Sequence, residues 1–319
     1  MEAVVMDDRL AGTIPHEMAS CGQVGEAPSS TSWGSQVRVL HRPLTAATIT
    51  AGESSESYHS SAGWSKSQLW DHATRGSRYF YLRHVAKSIK PEESAALSHG
   101  TRLHRWLEVG DQLFDELVVP PADALTDTGL IGKKAHQWAS ENAAGRQVVT
   151  PREFGQLRNE VAAIRAHKAA RRLIESAIAN EISVRWISPD GDSLRCRPDL
   201  CTDEAWVDLK TTREEDILAS FWNSVRDYGY HAQDAHYQWG MEALGMEARP
   251  LIFIVVSTSS QHDCQVVTLP PEMVAAGRRR LLQSLADIRL RMDLDYWLPD
   301  QHGEVVELPV PAHVLRSLT

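Results

Sequence analysis

Asp199, Asp208 and Lys210 lie close together in one short stretch of the chain, residues 197–212, which reads RPDLCTDEAWVDLKTT. Apolar and polar residues alternate over residues 193–200 and again over residues 205–211, which predicts two short half-buried strands. Turn-forming residues occupy positions 202–204 between them. The sequence therefore predicts a β-hairpin that could gather the three charged side chains at one place.

The predicted hairpin brings these side chains within reach of one another. Because side chains alternate between the two faces of a strand, Asp208 and Lys210 should project from the same face, about 7 Å apart. A turn centred on Asp203 and Glu204 would place Asp199 directly across from Asp208, with Cβ atoms roughly 5 Å apart. A slightly different loop would shift this pairing by about one residue.

Two carboxylates that face each other are a possible binding site for a cation. Asp199 and Asp208 would repel each other unless one is protonated or a divalent cation lies between them. Hard oxygen ligands of this kind suit Mg²⁺ or Mn²⁺ better than zinc. Lys210 beside such a cation could position or deprotonate an attacking water and stabilise the charge that develops on a phosphate. The alternative is a surface ribbon whose aspartates are solvated and in which Lys210 pairs with one of them.

Two predicted helices carry further candidates. Residues 100–109, GTRLHRWLEV, have the apolar spacing of an amphipathic helix, on which His104 is either a metal ligand or a residue that caps the polar edge. Residues 231–245 are predicted to form a helix in which Gln233 and Tyr237, four positions apart, lie on one face. That pair could bind a phosphate or a base, or make ordinary hydrogen bonds on the helix surface.

Taken in chain order, these motifs resemble the RecB-like branch of the PD-(D/E)xK nucleases, and most closely the RecE (exonuclease VIII) family of phage and prophage exonucleases. The residues that carry the resemblance are His104, Pro198-Asp199, Asp208-Leu209-Lys210 and Gln233-x-x-x-Tyr237. Further landmarks in the expected order are Tyr58-His59, Ser65-Lys66-Ser67, Gly100-Thr101, Phe114 to Pro120, Glu181 to Val184, Tyr228-Gly229-Tyr230 and Trp297 to Pro299. The resemblance covers roughly residues 58–310. It implies an α/β fold of the mixed α+β kind, a restriction-endonuclease-like core with a small mixed central sheet flanked by helices.

The resemblance also implies roles for individual residues. Its metal-binding positions correspond to His104, Asp199, Asp208 and the backbone carbonyl of Leu209, and its catalytic lysine corresponds to Lys210. Gln233 and Tyr237 correspond to positions that contact the DNA substrate. Glu181 matches an acidic position of the family and is a further catalytic candidate, whose contact with metal, water or a basic neighbour stays open. Asp208 stands where many relatives have glutamate.

The activity implied by the resemblance is Mg²⁺-dependent hydrolysis of phosphodiester bonds in linear double-stranded DNA, with Mn²⁺ able to substitute. The implied polarity is 5′ to 3′, which leaves a 3′ single strand for a strand-annealing partner protein. The implied assembly is a ring-shaped homo-oligomer on DNA ends. Two alternatives stay open: a non-catalytic protein that binds DNA ends or assembles on them, and a nuclease of the same fold that acts on single strands or on particular DNA structures.

The composition is that of a soluble globular protein, with 42% hydrophobic and 24% charged residues among 319. The apolar run at residues 251–256 suits a buried strand rather than a membrane span. The acidic N-terminus, MEAVVMDD, lacks a signal-peptide pattern, so we expect a cytoplasmic protein. The four cysteines are spread without a C-x-x-C pair, so we expect no disulfide framework and no zinc ribbon. Some RecB-like nucleases hold an iron–sulfur cluster with one early cysteine and three cysteines grouped near the C-terminus. No such group follows Tyr237, so we expect no cluster.

The formal net charge of −9 is unfavourable for DNA binding, because affinity for DNA comes mainly from lysine and arginine. Three local clusters of basic residues are nevertheless positively charged: Arg75, Arg78 and Arg83; Arg165, Lys168, Arg171 and Arg172; and Arg278 to Arg280. Each cluster could simply be a solvated helix face. In a ring-shaped oligomer, such clusters could instead line a channel.

The chain is predicted to consist of a flexible Ser/Gly-rich N-terminal tail over residues 1–57 and a nuclease domain over residues 58–319. Helices are predicted over residues 65–107, 151–179, 231–245 and 270–292. Three short strands are predicted within residues 181–212, and two more at residues 251–257 and 264–268.

Overall fold

The computed structural model describes residues 47–90, 95–299 and 303–307, together with residues 310 and 316. Most of the predicted tail, residues 1–46, lies outside the described residues. Its last part is regular structure, because Thr48–Thr50 is a strand and a helix begins at Ser55. The strand pairs antiparallel with Ser183–Ile187. Regular structure is therefore present ahead of the predicted boundary at residue 58.

The described strands form three sheets. They are β1 (Thr48–Thr50), β2 (Leu117–Val118), β3 (Gln147–Val148), β4 (Ala179–Asn180), β5 (Ser183–Ile187), β6 (Ser193–Cys196), β7 (Leu200–Cys201), β8 (Trp206–Thr212), β9 (Ile252–Ser257) and β10 (Cys264–Val267). The largest sheet has the order β10-β9-β8-β7-β4, with β8 and β9 parallel and the other neighbours antiparallel. A second sheet has the order β1-β5-β6, and β2 pairs with β3.

Helices flank these sheets. The described helices are α1 (Ser55–Ser60), α2 (Lys66–Phe80), α3 (Ala95–Val109), α4 (Gln112–Glu116), α5 (Lys133–Asn142), α6 (Pro151–Ala166), α7 (Lys168–Glu175), α8 (Ile217–Tyr228), α9 (Tyr230–Ala243) and α10 (Pro271–Leu294), with a π-helical turn at Tyr81–Val85 and a 3₁₀ turn at Ala122–Ala124. The predicted fold class, a small mixed sheet between helices, is confirmed. Across the described ranges, no helix is both long enough and apolar enough to traverse a bilayer.

Strand β8 lies between the two hydrophobic clusters that the described residues form. Its Val207 and Leu209 belong to a cluster with side chains of α3 and α6, whereas Trp206 belongs to the other cluster, with side chains of α8 and α9. Because side chains alternate along a strand, Asp208 and Lys210 project to the same side as Trp206. The apolar packing on both sides therefore fixes the direction in which these two polar side chains point.

The tip of the predicted hairpin is present with the predicted register. β7 and β8 are antiparallel, and Leu200 lies opposite Val207. Continuing this register by one residue puts Asp199 opposite Asp208, as the turn centred on residues 203 and 204 predicts. The relation between the two candidate carboxylates therefore follows from a two-stranded ladder and a short turn.

The first arm of the hairpin is not one continuous strand, which corrects the sequence-based expectation. Residues 193–200 were expected to form a single strand, but β6 and β7 belong to different sheets. Pro198 lies in the gap between them and has no N–H to donate to a ladder, so the strand is interrupted there. Residues 181–212 accordingly contain four strands, β5 to β8, instead of three.

The junction between α8 and α9 depends on one glycine. Gly229 has a φ of 66°, and a Cβ atom at this position would lie 2.4 Å from ring atoms of Trp70 in α2. Both the backbone conformation and the available space therefore require glycine. Trp70 also donates from Nε1 to the carbonyl of Asp227 at 3.2 Å. These contacts fix the first turns of α2 against the end of α8.

Candidate active site

Asp208 and Lys210 form a buried ion pair on β8. The Nζ atom of Lys210 contacts Oδ2 of Asp208, and the Asp208 side chain is 4% exposed. The other carboxylate oxygen, Oδ1, accepts a hydrogen bond from Nε2 of Gln233 in α9 at 2.5 Å. Alternation along β8 thus places the carboxylate and the ammonium on one face, and α9 supplies a third polar group.

Asp199 connects the opposite arm to the same place. Its Oδ2 accepts a hydrogen bond from the backbone N–H of Leu209 at 2.6 Å, and its Oδ1 lies 3.0 Å from Nδ1 of His104 in α3. Because the N–H and C=O of one strand residue point to the same side of the strand, the Leu209 carbonyl also points toward the Asp199 segment. The structure therefore brings together His104, Asp199, Leu209 and the Asp208–Lys210 pair.

The charges of these groups depend on one another. Burial alone would lower the pKa of His104, but the Asp199 carboxylate outweighs it and raises the pKa to about 9. Burial likewise opposes ionisation of Asp199, yet the His104 imidazolium lowers its pKa. For Asp208, burial and the nearby Asp199 carboxylate raise the pKa against the effect of Lys210. Lys210 stays charged because Asp208 raises its pKa despite burial.

Glu181 lies at the edge of this group and contacts a basic side chain. Its carboxylate pairs with the guanidinium of Arg197, and its backbone N–H donates to the carbonyl of Asp199 at 2.9 Å. Burial and a hydrogen bond with Glu108 raise its pKa to about 7. Glu181 also has a φ of 47°, an uncommon conformation for a residue with a side chain. Its side chain therefore contacts Arg197 and Glu108, its backbone contacts Asp199, and the predicted catalytic role stays a prediction.

Gln233 and Tyr237 lie one turn apart on α9, as predicted, and both are buried. Gln233 donates to Asp208, as described above. The hydroxyl of Tyr237 donates to the backbone carbonyl of Arg197 at 2.9 Å, and its ring lies against that of Trp206, with centroids 6.2 Å apart. Both residues therefore hold the segments that carry the carboxylates, and the predicted contact with DNA stays a prediction.

The donor set fits a hard divalent cation in chemistry, although its side chains are engaged with one another. Among the residues that the structure describes, no three His, Cys, Asp or Glu side chains converge as a metal-binding group. Lys210 lies against Asp208, and His104 lies against Asp199. Two carboxylates close enough to affect each other's pKa, one imidazole and one backbone carbonyl are nevertheless the ligand types that Mg²⁺ or Mn²⁺ takes.

Two residues beside Lys210 received no role from the sequence. The Nζ atom of Lys210 lies 4.8 Å from the ring centroid of Tyr230, and the Nζ atom of Lys66 lies 5.9 Å from the same centroid. Both residues are part of conspicuous triplets, Ser65-Lys66-Ser67 and Tyr228-Gly229-Tyr230. Those triplets signal an important region, but only the fold shows that the two meet at Lys210.

Comparison with known proteins gives one family match and similar solved structures. A family model described as "PDDEXK-like domain of unknown function (DUF3799)" matches residues 65–304. No curated protein matches the chain. A crystal structure of a "Putative exonuclease" from Eubacterium rectale is similar, with a TM-score of 0.53 and 16% identity over 83% of this chain and 98% of the other. An alkaline exonuclease from Laribacter hongkongensis matches with a TM-score of 0.28 and 15% identity over 60% of this chain and 94% of the other.

Proposed function

This chain belongs to the family of PDDEXK-like domains of unknown function (DUF3799), and from that premise we propose that it is a metal-dependent exodeoxyribonuclease acting on linear double-stranded DNA. The observation that carries the proposal is the arrangement at the β7–β8 tip. There Asp199 bonds to the N–H of Leu209, while Asp208 and Lys210 form a buried ion pair directly opposite. A carboxylate pair with an adjacent ammonium is a set of groups suited to hydrolysis of a phosphodiester.

In the proposed reaction, water attacks the phosphorus atom, one P–O bond breaks, and the leaving oxygen takes up a proton. A divalent cation, when bound, lowers the pKa of water and screens charge on the phosphate. Lys210 supplies a permanent positive charge next to the phosphate, where it stabilises the charge that develops on the non-bridging oxygens. Asp208 holds that ammonium in place, and Gln233 holds the Asp208 carboxylate.

The finer assignments rest on the resemblance to the RecE family. They are Mg²⁺ as the physiological ion with Mn²⁺ able to substitute, 5′-to-3′ polarity, and supply of 3′ single strands to an annealing protein in recombination. We also propose a ring-shaped homo-oligomer. Several arginines of the basic clusters are paired with carboxylates within the chain, such as Arg165 with Asp111 and Arg278 with Glu242. Other members of these clusters, such as Arg171 and Arg279, have no ion pair within the described residues, and in a ring they would line the DNA path.

The decisive experiment incubates purified protein and Mg²⁺ with linear duplexes labelled at either the 5′ or the 3′ end. We expect release of labelled mononucleotides by the parent protein, and a loss of at least about 10³-fold in rate for Asp208→Asn and Lys210→Ala. Asp234→Asn is the matched control, because Asp234 is an equally buried aspartate that bonds to Gln238 and to the N–H of Leu251. Its rate should stay close to that of the parent.

Four results would count against the proposal or its finer assignments. Hydrolysis that is unchanged in both site variants would remove the assigned centre. Binding of DNA ends without hydrolysis would favour a non-catalytic end-binding protein, and preference for single strands or branched DNA would favour a structure-specific nuclease. A native mass equal to one chain in the presence of DNA would contradict the ring.

A further inference from the structure

Lys66 is a second lysine beside the candidate active site. It begins α2, and its Nζ atom donates a hydrogen bond to the backbone carbonyl of Tyr228 at 2.8 Å. The same ammonium lies 5.9 Å from the ring centroid of Tyr230, against which Lys210 lies at 4.8 Å. One tyrosine ring therefore contacts two ammonium groups, of which only Lys210 has a role so far.

The charge of Lys66 is not balanced by a directly bonded carboxylate. Within the described ranges, its one hydrogen bond is to the Tyr228 carbonyl, and no ion pair includes it. An ammonium group has three N–H donors, so two remain for a ligand. Burial and the nearby Lys210 lower the pKa of Lys66 to about 7, with Asp208 and Asp71 opposing at longer range. An anion would both bond to these donors and compensate the charge.

The residue whose carbonyl Lys66 contacts also carries an exposed aromatic ring. Tyr228 is 61% exposed. Its ring stacks on that of Tyr230, with the centroids 5.8 Å apart and an angle of 27° between the planes. The ring of Tyr230 in turn stacks on Phe221 in the core. Tyr228 is thus an aromatic surface open to solvent, supported by the ring of Tyr230, which both lysine ammonium groups approach.

We propose that Lys66 and Tyr228 form a subsite for one nucleotide of the DNA strand, in which the Lys66 ammonium binds the phosphate adjoining the one held at Lys210 and the Tyr228 ring stacks on a base. This proposal rests on the proposed nuclease function and states how one DNA strand would bind next to the candidate active site. A positive groove lined by aromatic rings is the usual way in which proteins hold single-stranded nucleic acid without reading its sequence. The subsite therefore takes a strand end that has separated from its complement.

A purely structural role for Lys66 makes different predictions. Its hydrogen bond to Tyr228 satisfies a carbonyl at the C-terminus of α8, a position where lysine stabilises helices. The junction is also held by Trp70 against Gly229, which does not involve Lys66. Loss of a helix-end bond would lower the unfolding temperature but would leave the salt dependence of DNA binding unchanged.

The first arm of the test measures binding of a fluorescein-labelled linear duplex with a short frayed end, with Ca²⁺ replacing Mg²⁺, at several NaCl concentrations. Lys66→Gln should weaken binding about tenfold and reduce the slope of log Kd against log salt by about 0.7–0.9, the loss of one phosphate contact. Lys66→Arg should retain most of the affinity and the slope. Lys133→Gln, an exposed lysine on α5, is the control and should change neither.

The second arm tests stacking. Tyr228→Leu should weaken binding about fivefold or more, whereas Tyr228→Phe should bind like the parent because stacking does not need the hydroxyl. Removing the base of one terminal nucleotide should weaken DNA binding by the parent protein. The affinity of the Tyr228→Leu variant should be the same with and without that base. Tyr296→Leu, another exposed tyrosine, is the control. The unfolding temperature of every variant is measured beside the affinities, so that a folding defect is recognised.

The outcomes separate this proposal from the proposed function. A parent that hydrolyses DNA while Lys66→Gln and Tyr228→Leu bind and hydrolyse equally well overturns the subsite alone. A lower unfolding temperature in Lys66→Gln with an unchanged salt slope also overturns it. A parent that binds but does not hydrolyse overturns the nuclease function, and the two binding arms still decide on the subsite. A parent that neither binds nor hydrolyses overturns both.

Discussion

Helix α3 carries two histidine–carboxylate pairs that are chemically alike. His99 lies 2.6 Å from Glu160 of α6, and His104 lies 3.0 Å from Asp199, which immediately precedes β7. Each pair ties the same helix to a neighbouring element through one imidazole nitrogen and one carboxylate oxygen. Neither the residue types nor the distances between the paired atoms distinguish the two pairs.

The difference lies in what the second carboxylate oxygen touches. In Glu160 it accepts from Gln156 on its own helix, so the pair closes on itself, and the Glu160 side chain has no exposed surface. In Asp199 it accepts from Leu209, whose neighbours are Asp208 and Lys210, and the His104 side chain is 32% exposed. A buried histidine–carboxylate pair is therefore a structural element by default. It becomes a candidate site where it opens onto a second carboxylate and solvent.

The largest expected contrast is between the two carboxylates. We predict that Asp199→Asn reduces DNA hydrolysis by at least about 10³-fold, because it removes a negative charge from the centre where a cation and a phosphate would meet. Glu160→Gln should retain activity within a few-fold and instead lower the free energy of unfolding by about 1–3 kcal/mol. Initial rates and urea unfolding of both variants measure the two effects. Loss of hydrolysis in a stably folded Glu160→Gln would erase the distinction between the pairs.

The two histidines should show the same contrast with smaller effects. His104→Gln is expected to lower the rate about 10- to 100-fold, the usual cost of disturbing a metal ligand or its orienting partner. His99→Gln is expected to lower the free energy of unfolding by about 1–3 kcal/mol with the rate little changed, because Glu160 then loses a buried partner. Rates measured over a range of Mg²⁺ concentrations add a check. If His104 is a ligand, its variant needs more Mg²⁺ for half-maximal activity, whereas an unchanged requirement contradicts that role.

The stability of the protein without divalent cations should carry a pH dependence that belongs to His104. Its pKa is raised from 6.5 in the unfolded chain to about 9 in the folded protein. The stabilisation is therefore fully present below about pH 6.5 and is lost as the pH rises through about 9. Urea unfolding in EDTA between pH 6 and pH 10 should show this decline in the parent and a smaller one in His104→Gln. Equal declines in both proteins would assign the effect to another group.

Much of the candidate site follows from local sequence rules. Strand alternation put Asp208 and Lys210 on one face, and the turn residues set the register that puts Asp199 opposite Asp208. Both features depend on fewer than about 15 consecutive residues, and patterns of this short range can be recognised in a single sequence. The same reasoning placed His104 on a helix, while its contact with Asp199 depended on the family resemblance.

Other features depend on packing between distant segments. The division of the first arm into β6 and β7 depends on a second sheet that includes β1, a strand in the segment expected to be a tail. Helix α8 was not predicted, and its exposed Leu218 and Trp222 obscure the apolar periodicity that marks a helix face. Lys66 and Tyr228 are separated by 162 positions. No local pattern indicates that their side chain and carbonyl meet.

The smallest expected effect concerns Tyr237. Its sequence motif assigns it to the candidate site, but its contacts are structural, like those of the His99–Glu160 pair. Tyr237→Phe removes the hydrogen bond to the carbonyl of Arg197 and keeps the ring that packs against Trp206. We predict a loss of about 1 kcal/mol in the free energy of unfolding. Hydrolysis should fall only a few-fold, because the hydroxyl positions the Arg197 segment and the carboxylates stay in place.

Measuring the Michaelis constant and the turnover number of Tyr237→Phe separately decides between positioning and DNA contact. A positioning role acts on the geometry of Asp199, two residues beyond Arg197, so it should lower the turnover number and the unfolding free energy together. A direct contact with DNA would raise the Michaelis constant in a variant as stable as the parent. The second result would show that α9 opens when DNA binds, because the hydroxyl is bonded to the Arg197 carbonyl in the DNA-free chain.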